Sequence, residues 1–137
     1  MKRGQYNPIV MDHFAHPRNV GVLAGADGVG SAGDAAEGDV MRIHIRVRDE
    51  RIVEISFQCK GCPAAVASGS MVTELAKGRS LDEAAEITDE MVAAALGGLP
   101  EGKRGCSNLG AEALANAIWD YVVRAVERNL AERLAGP

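Results

Sequence analysis

The sequence has no excess of basic residues: 15 Lys and Arg stand against 19 Asp and Glu, for a net charge of -4 and a pI of about 5.4. Binding to a phosphate backbone runs on such an excess, so nucleic acid is not an expected partner. Long apolar runs are also missing. No stretch reaches membrane-spanning length, and the basic pair Lys2-Arg3 is not followed by the apolar segment of a signal peptide. The expectation is a cytoplasmic protein with no membrane partner. Cysteine is scarce and odd in number, three in 137 residues. That count argues against a disulfide framework and for metal or reactive-thiol chemistry.

What is present reads as one folded domain over 1–137. The hydrophobic fraction is 47% with 25% charged residues, and there is no internal repeat or linker. Tyr6, Ile9, Val10, His13 and Phe14 fall at helical spacing before Pro17, which predicts a short docking helix. Six glycines between Gly21 and Gly38 leave room for a short edge strand at most. Val40 to Arg48 then alternates, with Met41, Ile43, Ile45 and Val47 on one face. Val53, Ile55 and Phe57 resume the alternation after the polar turn Asp49-Glu50-Arg51, so the two segments predict an antiparallel hairpin.

Helical patterns follow for the rest of the chain. Pro63 suits a first helical position and Gly78 a stop; Ser80 to Glu83 has the spacing of a capping box; Thr88 opens a short helix closed by Gly97-Gly98. Ser107 is placed to cap the longest helix, whose buried stripe would be Leu114, Ile118, Tyr121, Val122, Ala125 and Val126. The predicted class is α+β: a small antiparallel sheet of two to three strands, helices on one face, and a long C-terminal helix.

Cys62 and Cys106 both fall near predicted helix starts, where the positive end of the helix dipole favours thiolate, the form that binds metal or attacks sulfur. Two such thiols on separate elements suggest one shared site. Cys59 and Cys62 also form a C-x-x-C, which reads as a metal knuckle or a redox pair; the absence of strand patterns after Cys62 disfavours the redox reading. Cys59 continues the inward row of Val53, Ile55 and Phe57, so it is placed in the core or, alternatively, as a ligand. Glu37-Gly38-Asp39 sets two carboxylates at a strand mouth, as ligands or as a solvated turn. His44 alternates to the polar face and is expected to be exposed, while His13 and His16 are placed to cap the first helix.

These residues together resemble the IscU/NifU-type iron-sulfur cluster scaffolds. The resemblance is carried by Asp12 to Gly21, Gly38 to Met41, Gly61-Cys62, the Ala-Ser-Gly-Ser stretch at 67–70, Val72-Thr73-Glu74, Lys77 to Ala84, and Cys106-Ser107. It implies an α+β fold and a role that is not strictly enzymatic. Sulfur from a cysteine desulfurase and iron would be built into a transient [2Fe-2S] cluster and passed to apo-proteins, with zinc as another occupant of the site. It implies Asp39, Cys62 and Cys106 as ligand or cluster-release positions.

Two family positions differ: Glu37 stands where cysteine is usual, and Gly105 where histidine is usual. A carboxylate can ligate but cannot carry a persulfide. The expected ligand set is therefore Glu37, Asp39, Cys62 and Cys106, or the same set with Cys59 exchanged for a carboxylate. The loop that a heat-shock chaperone reads in related scaffolds keeps only Leu99, Pro100 and Lys103, which puts that partner in question. The competing expectation is a zinc-holding persulfide acceptor that serves a desulfurase without building a cluster.

Overall fold

The computed structural model describes residues 6–34, 36 and 38–136. Its elements run α1 (Pro8–Ala15), β1 (Gly28–Gly33), β2 (Val40–Arg48), β3 (Arg51–Lys60), α2 (Pro63–Ala76), α3 (Leu81–Ala85), α4 (Asp89–Ala95) and α5 (Arg104–Ala135). The sheet is antiparallel with strand order β1-β2-β3, and α2 and α5 pack against it. This is the expected α+β architecture. Among the described residues no helix is long and apolar enough to cross a membrane.

The β2–β3 hairpin turns on Asp49 and Glu50, both with positive φ (53° and 63°), the conformation of a tight turn that follows strand twist. Met41, Ile43, Ile45 and Phe57 are buried as expected, but Val53 is not: it is 41% exposed while Ile52 is fully buried. A register shift after Arg46 pairs Val47 with Ile52. The extra residue of that bulge reverses the alternation at the start of β3.

The glycine-rich stretch holds a six-residue strand, β1, at the edge of the sheet, the short edge strand for which the sequence leaves room. A Cβ on Gly30 would lie 2.1 Å from the backbone nitrogen of Ala117, and one on Gly28 would lie 2.4 Å from the Ala117 carbonyl oxygen. The glycines of β1 therefore allow α5 to lie directly on the strand. Asn116 Nδ2 donates to the Ser31 carbonyl at 2.8 Å, and the Val29 N–H donates to Asp120 Oδ2 at 2.9 Å. On the other helix, Gly69 does the same for Phe57, whose ring would be 2.5 Å from a Cβ there.

The capping box at Ser80 and Glu83 and the Thr88 cap form as expected. Three helix expectations need correction. α5 begins at Arg104, so Ser107 is a buried residue of its first turns and not its cap. Its apolar stripe reaches the core only as far as Ile118 and Tyr121; Val122 and Val126 are 37% and 61% exposed. In α1 only Val10 and His13 are buried, and Ile9 and Phe14 face outward.

The histidines also differ from expectation. His44 is buried, with Nε2 3.2 Å from Gln58 Oε1. The outer face of the sheet is not open there: Arg46 on the same face donates to the carbonyls of Ala24 and Gly25, so the chain crosses that face. His13 is buried against Ser70 Oγ at 2.7 Å and caps nothing. His16 does occupy the C-cap of α1.

Candidate metal centre

The site follows from strand register. β2 and β3 pair Val40 with Lys60, so the residue before β2, Asp39, lies beside the residue after β3, Gly61. A Cβ on Gly61 would be 2.7 Å from the Asp39 carboxyl carbon, so this glycine is what lets the carboxylate approach. Cys62 follows as the N-cap of α2, in extended conformation (φ -73°, ψ 169°), with Pro63 fixing the first helical position. Because α2 and α5 pack side by side, the first turn of α5 carries Cys106 to the same place.

Cys62 Sγ donates to Asp39 Oδ2 at 3.5 Å, Cys106 Sγ does so at 3.9 Å, and the two sulfurs are 3.7 Å apart. One donor atom from each of the three residues lies within 4.8 Å of the others, and all three side chains are half-buried. Two thiolates held at about 2.3 Å by one tetrahedral metal ion lie roughly 3.8 Å apart. The donor set, soft sulfur with one hard oxygen, therefore fits a thiophilic metal or an iron of a cluster in both chemistry and spacing.

The Cys106 thiol is not activated in the metal-free site. Burial first, then the neighbouring Cys62 and Asp39, pushes the Cys106 thiol up to about 12, against the lowering effect of Lys103. The expected gain from the helix start does not prevail over desolvation and crowding by acceptors. A bound metal ion would reverse this, since it deprotonates a coordinating thiol outright.

Glu37 lies outside the described residues. Gly105 is exposed and offers no donor side chain. Cys59 stands outside the three-residue group: it is paired with Met41, packs against the hydrophobic core, and is pushed up to about 11, mainly by burial. Two further residues were not expected here. Lys103 is held above its ordinary value by Cys62 first, then Tyr6, Cys106 and Asp39, and Tyr6 is raised by burial while Lys103 opposes it. The position of Lys103 one helical turn before Cys106 was the signal available in the sequence for it.

The chain matches the family model described as the NifU-like N terminal domain over residues 5–128. It is 55% identical over 116 residues to iron-sulfur cluster assembly scaffold protein IscU 1 of Archaeoglobus fulgidus, covering 85% of this chain and 76% of that protein. Against iron-sulfur cluster assembly scaffold protein IscU of Aquifex aeolicus it is 45% identical over 122 residues, covering 88% of this chain and 78% of that one. The fold matches the crystal structure of a putative iron-sulfur cluster assembly scaffold protein for the SUF system from Fervidobacterium islandicum, with a TM-score of 0.68 at 20% identity over 86% of this chain and 99% of that one. The chain belongs to the NifU-like N-terminal domain family.

Proposed function

We propose that this member of the NifU-like N-terminal domain family is an iron-sulfur cluster assembly scaffold, acting as one unit over 1–137. It takes iron and sulfur at the mouth formed by β2, β3, α2 and α5 and passes a [2Fe-2S] cluster to apo-proteins. The observation that carries this reading is the convergence of Asp39, Cys62 and Cys106, one donor atom from each within 4.8 Å. The names of the Archaeoglobus and Aquifex relatives support it.

Asp39, Cys62 and Cys106 are assigned as ligands, with Glu37, two residues before Asp39 in the sequence, as the fourth. A carboxylate-rich set holds sulfide-bridged iron less firmly than thiolates do, which suits a cluster that must leave. Sulfur comes from a cysteine desulfurase, and the cytoplasm, where thiols stay reduced, is the compartment that three free cysteines fit. The role is that of a scaffold and not of an enzyme. Zinc is a competing occupant of the same donors.

Anaerobic reconstitution with ferrous iron and sulfide tests the reading. The expected result is a [2Fe-2S] absorption and circular dichroism spectrum that moves to an added apo-ferredoxin. A protein that binds zinc tightly under the same conditions but forms no cluster would overturn it.

A further inference from the structure

Cys62 and Cys106 sit on separate helices, and their sulfurs are 3.7 Å apart. A disulfide has a sulfur separation of about 2.05 Å, so closing the pair asks for a shift of roughly 1.7 Å shared between two half-buried side chains. Cys59, the third thiol, is half-buried against the core beside Met41 and outside the three-residue group. The site thus holds one pair of thiols within reach of each other.

We infer that Cys62 and Cys106 act as a dithiol that releases sulfide in cis from a persulfide carried on either one. With the sulfane sulfur on Cys106, the Cys62 sulfur attacks the Cys106 sulfur. A Cys62–Cys106 bond forms and the bond from Cys106 to the sulfane sulfur breaks, its electron pair leaving with that sulfur. The proton given up by the Cys62 thiol ends on the departing sulfide. A persulfide anion and a thiol become a disulfide and hydrosulfide, and the two electrons that reduce the sulfane sulfur come from the two cysteine sulfurs.

The surroundings suit this step. Asp39 Oδ2 accepts from both thiols, at 3.5 and 3.9 Å, and so stands beside the path of the proton. Lys103 is a nearby cation whose charge is felt by Cys62 and Cys106. The disulfide product cannot bind metal through these sulfurs, so sulfide release and metal loading alternate, and an external dithiol reductant resets the pair. The use of the released sulfide rests on the scaffold reading; the reaction itself does not.

The test uses the metal-free, reduced full chain, its Cys62→Ser and Cys106→Ser variants, and an organic trisulfide. A protein thiolate attacks the central sulfur and expels one RS⁻, which then takes up the other RS group as RSSR, so the net products are a protein persulfide and a disulfide, with no sulfide from this exchange. The wild-type chain should release about one sulfide per protein and become about 2 Da lighter. Trypsin should then yield the Cys62 peptide (61–77) joined to the Cys106 peptide (105–124), with Cys59 on its own peptide (52–60). Each serine variant should keep an adduct of about 32 Da and release at least about tenfold less sulfide.

Retention of the adduct by the wild-type chain without sulfide would overturn the inference. So would equal release from the variants, a disulfide that maps to Cys59, or no adduct on any of the three proteins. Release without cluster formation on reconstitution would instead remove the scaffold reading and leave this one standing.

Discussion

Helix α2 carries two polar clusters, and they are built on opposite terms. In its second half, every group has a partner from the protein. Ser70 Oγ meets His13 Nδ1 at 2.7 Å and accepts the Arg18 N–H at 3.0 Å, and Thr73 Oγ1 donates to the Ser70 carbonyl at 2.7 Å. Asn19 Nδ2 donates to Thr73 Oγ1 and to Glu74 Oε2. At the N-cap end, Asp39, Cys62 and Cys106 face one another over long sulfur contacts, with both thiol protons directed at the same carboxylate oxygen. Saturation by protein partners fixes a chain path, here residues 16–21 across α2. Two thiols and a carboxylate crowded together are held by their protons and are ready to exchange them for a metal.

The comparison breaks most sharply by substitution on each side. Cys62→Ser or Cys106→Ser should lower zinc affinity by at least about 100-fold, since loss of an outer-shell partner alone commonly lowers it 10- to 100-fold. The thermal midpoint of the metal-free protein should move by less than about 3 °C, because no saturated hydrogen bond is lost. Ser70→Ala should do the reverse. It orphans the buried His13 ring and the Arg18 N–H, destabilising by about 1–3 kcal/mol while zinc affinity stays within about twofold. Competition with a chromophoric chelator and thermal unfolding read the two quantities separately.

A smaller effect is expected from a residue that touches no metal. Gly61→Ala places a methyl group 2.7 Å from the Asp39 carboxylate, and the flexible carboxylate, not the backbone, gives way. Zinc affinity should fall by roughly tenfold, as for the displacement of a supporting group, with the fold intact by circular dichroism. An unchanged affinity would show that Asp39 is not among the ligands.

Much of this was legible in the sequence, and the parts that were not share a cause. The hairpin, the capped helices and the two thiols at helix starts rest on local rules, and the family motifs spanned the rest. Val53 was misplaced because a bulge is set by pairing between strands, which alternation along one strand cannot report. The short edge strand β1 was within the expectation, but the use of its glycines was not legible: Gly28 and Gly30 are there for α5, nearly ninety residues away. His44 was expected on an open face, and only the return of the chain past Ala24 and Gly25 closes it. In the site, Asp39 and Cys62 were visible as residue types at two strand mouths. The push on the Cys106 thiol was not, because burial is a property of the assembled fold.

Glu37→Cys sharpens the same contrast by adding a soft donor to the thiol and carboxylate cluster. Replacing a hard carboxylate by thiolate should lengthen the half-life of a reconstituted [2Fe-2S] cluster several-fold. Charged residues are seldom buried, and substitutions outside a core usually change stability by within about 0.5 kcal/mol, so the thermal midpoint should hardly move. Faster cluster loss in the variant would mean that the site is tuned to a carboxylate at position 37 and that a thiolate there does not strengthen it.

The smallest expected effect belongs to the saturated cluster and is one of pH. Burial, and then the nearby Arg18 charge, hold the His13 imidazole below its ordinary value of 6.5, with Asp12 and Glu74 opposing. Above pH 6.5 the ring is neutral in the folded and unfolded chains alike, and stability does not depend on it. As pH falls below 6.5 the unfolded chain takes up the proton first. Stability is then lost until the folded pKa is passed, and the slope flattens. Asp12 and Glu83 are lowered from 3.8 and 4.5, so their contribution is present above those values and disappears only at lower pH. Between pH 6.5 and 5 the midpoint of the metal-free protein should therefore drop by a few degrees, on the order of 1 kcal/mol or less. His13→Gln should remove that slope while the protein starts from a lower midpoint. Zinc affinity should still fall with pH in the same variant, because protons compete for Cys62 and Cys106 whatever stands at 13. A slope that survives His13→Gln, or a zinc affinity that loses its pH dependence with it, would mean that the two clusters are coupled through α2 and not independent.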